Sequence, residues 1–130
     1  MCDRTWSHDE ALANRPQATI RAEMGRTYDA IVAASGGSRP RYFRAPGGRW
    51  SPAVAAEARR LRLRPLGWSV EPADWRRPPA VLITRRVLDG AVPGAIVLLH
   101  DGYGNRAATV AALRDILPAL AARHLTTTVP

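Results

Sequence analysis

The stretch RYFRAPGG, residues 41–48, decides the fold. Its aromatic first half suits a short strand, and Arg44, Pro46 and Gly47-Gly48 stop that strand in a tight turn. Immediately downstream, Ser51-Pro52 supplies a helix cap and a first-turn proline, so a helix runs on through Val54, Ala58 and Leu61. Upstream, residues 17–34 carry Ile20, Met24, Tyr28, Ile31 and Val32 at three-to-four spacing. That is one buried helix face, ended by Gly36-Gly37.

The same order recurs along the rest of the chain. PLGWSV, 65–70, reads as a strand and is followed by EPADW, 71–75, then by a short helix over 80–89 carrying Val81, Leu82 and Leu88. AIVLL, 95–99, is a continuous apolar run, the pattern of a strand covered on both faces, and HDGYG follows it. A last helix begins at Asn105 or Thr109 and passes through Val110, Leu113, Leu117 and Leu120, with Pro118 expected to kink it. TTTV, 126–129, then opens another strand. Strands near 41, 65, 95 and 126, each separated by a helix, predict an α/β protein with parallel strands and right-handed crossovers. The polar and glycine-rich clusters all follow strands, where the chemistry of a β/α barrel gathers.

Composition narrows the function classes. A chain of 130 residues that is 46% apolar supports one modest domain, so a single domain over 1–130 is expected. No apolar run reaches the eighteen or so residues of a membrane span, and no signal segment opens the chain. The lone Cys2 makes no internal disulfide and reports no redox compartment. The net charge of +8 comes from nineteen arginines with no lysine. Such a charge suits a polyanion, but the arginines are scattered and no basic block with interleaved aromatics occurs, so no nucleic-acid partner is expected.

Near the N-terminus, MCDRTWSH places His8 four residues after Arg4. His8 has the look of a metal ligand, yet its i−4 partner is a guanidinium. That group stays protonated and only donates hydrogen bonds, so Arg4 cannot replace an imidazole lone pair.

TWSH, FRAPGG, EPADW and LLHDG, in that order and spacing, resemble the later motifs of the polysaccharide deacetylases, the NodB-homology family. The resemblance covers essentially the whole chain. It implies a partial, distorted β/α barrel of the NodB type and metal-dependent hydrolysis of N- or O-acetyl groups on sugar polymers. The implied cofactor is a divalent metal, usually zinc, and the implied partners are acetylated chitin-like or peptidoglycan-like glycans. The family's His-(Ser/Thr)-x-x-His motif corresponds here to Arg4 through His8, so only His8 matches a metal ligand. Arg44 resembles the arginine that orients the base aspartate, and the Gly47 amide takes the place of an oxyanion donor, where a tyrosine is often found. His100 resembles the general acid that protonates the leaving amine, and Asp74 the carboxylate that bonds it. A nearby negative charge favours imidazolium. Trp75 would form a wall of the sugar groove and Leu98 the pocket for the acetyl methyl.

The family's first motif, an Asp-Asp pair supplying the base and a further ligand, has no counterpart in this sequence. The strand expected before TWSH is not apparent either. The sequence therefore reads as an N-terminally truncated deacetylase domain, catalytically incomplete, with an unpaired sheet edge near RYFR. The alternative is a non-catalytic glycan-binding module built on Trp75. Family members usually act outside the cell or at its envelope; the sequence itself leaves the compartment and the oligomeric state open.

Overall fold

Three two-residue strands organise the first half of the chain in a computed structural model that describes residues 1–102 and 104–129. These are β1 (Cys2–Asp3), β2 (Tyr42–Phe43) and β3 (Arg64–Pro65), hydrogen-bonded in the order β1-β2-β3 with every pair parallel. A strand therefore does precede TWSH, contrary to the sequence reading. RYFR consequently occupies the middle of the sheet and not an open edge. Two-residue strands carry too little periodicity to be read from sequence, and β1 was hidden for that reason.

The crossover between β1 and β2 is α1 (Gln17–Ala34), and that between β2 and β3 is α2 (Pro52–Arg60). Ser51 caps α2 by accepting the Val54 amide proton at 3.3 Å, as its sequence signature implied. Ile20, Met24, Phe43, Val54 and Ala58 form one buried cluster with Leu12 and Leu63, against which Tyr28 and Leu61 pack. Glu57 is buried beside them, and its carboxylate accepts Arg60 Nε and Nη2 at 2.9 and 2.6 Å, with Arg21 of α1 at 3.6 Å. A buried carboxylate is tolerated because guanidinium donors fill its lone pairs.

Met1–Gly67 and Trp68–Pro130 form two compact units. The second is built from α3 (Ala80–Gly90) and α4 (Ala107–Ala122), which pack through Ile83, Val87, Ala112 and Ile116. Of the residues that the periodicity selects, Leu88 and Leu120 pack against this cluster. Val81, Val110 and Leu117 are exposed, and small or polar residues, Ala112 and Thr109, are buried in their stead. Pro118 lies inside α4, which continues to Ala122.

AIVLL is not a full strand covered on both faces. It makes a single parallel bridge, Val97 to Val70, with Ser69 and Val70 amides donating to Ile96 and the Leu98 amide donating to Val70. Only Leu98 of the run is buried. Gly90 permits this approach, since a β-carbon there would lie 2.8 Å from Val70 Cγ2. Residues 126–129 form no strand, and Tyr103 of the HDGYG cluster lies outside the described residues. Among the described residues, no helix is long and apolar enough to cross a membrane.

Asp3 ends β1 fully buried. Burial pushes its carboxyl up to about 6, against the pull of the Thr5 amide donating to Oδ1 at 2.9 Å. Because the folded chain holds this proton more tightly than the unfolded one, stability declines as pH rises through the ordinary carboxylate range to about 6. Asp3→Asn removes that loss. Urea denaturation of both proteins is expected to show the variant gaining on the order of 2–3 kcal/mol relative to wild type between about pH 4 and pH 7.

Candidate active site

In the second unit, EPADW forms a tight turn that presents Asp74. The 3-10 turn Asp74–Arg76 is bracketed by Ala73 and Arg77, both left-handed with φ of 56° and 58°. Left-handed backbone costs a non-glycine residue about 1 kcal/mol or more, and such strain persists where surrounding contacts over-determine it. Here those contacts converge on the Asp74 carboxylate, which has no exposed surface. Oδ1 accepts from His100 Nδ1 at 2.8 Å, while Oδ2 accepts from the His100 amide at 2.9 Å and from Thr109 Oγ1 at 3.0 Å. The Asp74 backbone carbonyl accepts the Arg77 amide at 2.9 Å and Arg106 Nη1 at 3.2 Å.

Burial pushes the Asp74 carboxyl up, but the hydrogen bonds from the His100 ring, the His100 amide and Thr109 outweigh it and hold the group below its usual range. An ionised Asp74 only accepts, so His100 Nδ1 carries the proton of their bond. Nε2 is left as the ring atom that can face a substrate, and one fifth of the side chain is exposed. The structure thus joins Asp74 to His100, the pairing that the family resemblance implies.

Thr109 and Arg106 were not recognised as site residues. In the sequence Thr109 is a possible start of α4, and its position near the beginning of an apolar helix is the available signal. Glu71 was also overlooked. Its carboxylate accepts both indole N–H groups, Trp68 Nε1 on Oε2 and Trp75 Nε1 on Oε1, each at 3.1 Å. Trp75 is therefore not a core residue; it is 45% exposed, fixed in orientation, with the Arg76 guanidinium 4.7 Å from its ring centre. Leu98 is buried two residues before His100.

In the first unit, the TWSH segment is a bend after β1 and not a helix. It is tied to α1 through Glu23, which accepts both the amide and the hydroxyl of Ser7 at 2.8 Å, while Arg26 lies 3.7 Å over the Trp6 ring. The bend brings Arg4 Nη2 to 2.8 Å from His8 Nε2. Since a guanidinium only donates, His8 Nε2 is the acceptor, and its lone pair is engaged by Arg4. A divalent ion does not fit these residues. The lone pair it needs is taken, a fixed positive charge stands beside it, and among the described residues no three His, Cys, Asp or Glu side chains gather as a ligand set.

Arg44 follows β2, its amide donating to the Asp3 carbonyl at 2.9 Å. Burial lowers its guanidinium from the usual value; Cys2 opposes that shift and the Arg4 charge adds to it. Gly47 sits in the turn Pro46–Gly48 at φ 58°, a conformation glycine adopts freely.

The sequence model for polysaccharide deacetylase matches residues 1–66. The chain belongs to the polysaccharide deacetylase family. Chitooligosaccharide deacetylase from Azorhizobium caulinodans is 36% identical over 132 residues, covering 93% of this chain and 62% of that protein. Among solved structures, a family 4 acetyl xylan esterase from Clostridium thermocellum in complex with a cobalt ion superposes with a TM-score of 0.86 at 28% identity, over 96% of this chain and 58% of that one. A family 4 pseudoenzyme from Bacillus anthracis gives a TM-score of 0.86 at 26% identity, over 95% and 42%. The α/β fold expected from the motifs is thus the fold of this deacetylase family. The chain spans about 60% of the length of the curated relatives it matches.

Thr109→Val keeps the shape of the side chain and deletes one donor to a buried carboxylate. Denaturation at neutral pH is expected to show a loss of about 1.5–3 kcal/mol. The Asp74 carboxyl, followed by carbon NMR, is expected to titrate at higher pH than in wild type.

Proposed function

We propose that this chain recognises acetylated sugar polymers, chitin-like or peptidoglycan-like, with the acid half of a deacetylase site, and that by itself it does not complete metal-dependent hydrolysis. The observation that carries this reading is the 2.8 Å contact from Arg4 Nη2 to His8 Nε2. It puts a permanent cation and a hydrogen-bond donor where the family's motif has a second imidazole.

The groups present support holding and protonating a substrate. Asp74 orients His100 through Nδ1, so that Nε2, when the ring is protonated, can deliver a proton to a leaving amine or alkoxide. Trp75, anchored by Glu71, offers an exposed ring face to a sugar. Zinc as the family's metal, and both N-acetyl and O-acetyl groups as targets, remain attached to the family chemistry and enter this chain only through its resemblance.

A second reading, a glycan-binding module with no chemistry of its own, is favoured by one specific feature. Both indole N–H groups of Trp68 and Trp75 are already satisfied by Glu71, so the platform is preorganised without a substrate.

Zinc titration calorimetry on wild type and Arg4→His, beside acetate release from acetylated chito-oligomers, tests the proposal. Wild type is expected to show no stoichiometric zinc binding, and Arg4→His weak but measurable binding through two imidazoles. Second-shell losses alone cost roughly 10–100-fold in metal affinity or activity, so the loss of a ligand costs more. Tight zinc binding by wild type, with metal-dependent acetate release abolished in His100→Ala, would overturn the proposal. Chito-oligomer binding that persists in a chelator and weakens in Trp75→Ala supports the glycan-recognition part.

A further inference from the structure

At the N-terminal end of the sheet in the first unit, away from the RAPGG turn that follows β2, lies an open cavity of about 370 Å³. Tyr28 and four arginines, Arg39, Arg41, Arg62 and Arg64, line it, and no lining residue is acidic. The convergence follows from the chain's own pattern. Two Arg-x-Arg steps, 39–41 and 62–64, enter the neighbouring parallel strands β2 and β3. The Arg64 amide donates to the Arg41 carbonyl at 2.9 Å, which brings the two steps together. All four of these arginines line the cavity, two from each strand entry.

Among the described residues none of these four guanidiniums forms an ion pair. Arg64 lies 5.4 Å from the Tyr42 ring centre. Arg62 is held at φ 57°. It occupies the residue after the helix cap of α2, with its amide donating to Arg59 and the Leu63 amide to Ala58. That hydrogen-bond pattern normally has glycine at this position. An arginine is thus kept in a strained conformation beside three others, and the repulsion among them is uncompensated within the chain.

We propose that this cavity is an anion site for a compact, multiply charged phosphate-class oxyanion, either free or carried on a sugar. Planar guanidinium forks match phosphate oxygens in pairs, and an anion of charge two or more offsets the mutual repulsion of its four cations. The proposal does not depend on the deacetylase reading.

Calorimetric titration with inorganic diphosphate and with a hexose 1-phosphate, at low ionic strength, tests it on the chain as it stands. Arg39→Gln/Arg62→Gly removes two cations and relieves the strain at position 62, so it is expected to melt no lower than wild type while binding roughly tenfold or more weakly. Arg85→Gln/Arg114→Gln lowers the net charge by the same amount on exposed helix positions outside the cavity and is expected to bind as wild type does. Arg41→Gln repeats the measurement if the double variant melts early. Tighter binding of the hexose phosphate assigns the site to a phosphorylated sugar, and tighter binding of diphosphate to a free anion. Absence of saturable binding to wild type, or equal weakening in the two double variants, overturns the proposal.

Discussion

A carboxylate with no exposed surface must have its lone pairs filled, and that requirement organises the second half of this protein around Asp74. Three donors meet it, two from His100 and one from Thr109. To supply them, the turn around Asp74 accepts left-handed backbone at Ala73 and Arg77, and His100 lies beside that turn. The buried face of α4 includes Thr109, with Ala112 and Ile116 continuing it, while Val110 and Leu117 are left to solvent. Local strain and exposed apolar surface are tolerated because an unsatisfied buried charge costs more than either. The same bonds fix the imidazole by Nδ1, so the structural requirement and the chemical one coincide.

Much of this was legible in the sequence, for identifiable reasons. Ile20, Met24, Val54 and Ala58 repeat at helical spacing, and Ser51-Pro52 marks a helix start, so α1 and α2 could be read directly. Asp74 and His100 could be paired because four motifs in one order carry more information than any of them alone. The strands could not be read well. Cys2–Asp3 is too short to show alternation, and AIVLL was taken for a fully covered strand although it makes one bridge and only Leu98 is buried. In the second unit Val81, Val110 and Leu117 are exposed while Thr109 is buried and bonded to Asp74, which residue size alone does not indicate. Glu71 escaped attention for a related reason. Its partners lie three residues before and four after, and nothing in an acidic residue's identity says that two indoles will donate to it.

The first unit poses the opposite case, in which family resemblance and local chemistry diverge. Imidazole and guanidinium can both reach across the bend from position 4 to position 8, but only imidazole brings a lone pair. With arginine there, the donor set closes on itself. The resulting Arg4–His8 contact is a complete hydrogen bond and needs no ion to satisfy it. Membership of the deacetylase family therefore does not transfer the family's metal chemistry to these residues. In the second unit, by contrast, the Asp74–His100 hydrogen bond that the family resemblance implies is formed.

The most direct measurement is long-range nitrogen–proton NMR of the His8 ring at neutral pH, with and without added zinc. The expected spectrum is that of a ring protonated on Nδ1, with an Nε2 that accepts from the Arg4 guanidinium, unchanged by zinc. A ring protonated on Nε2, or an Nε2 signal that shifts stoichiometrically with zinc, would show that Arg4 does not engage the His8 lone pair.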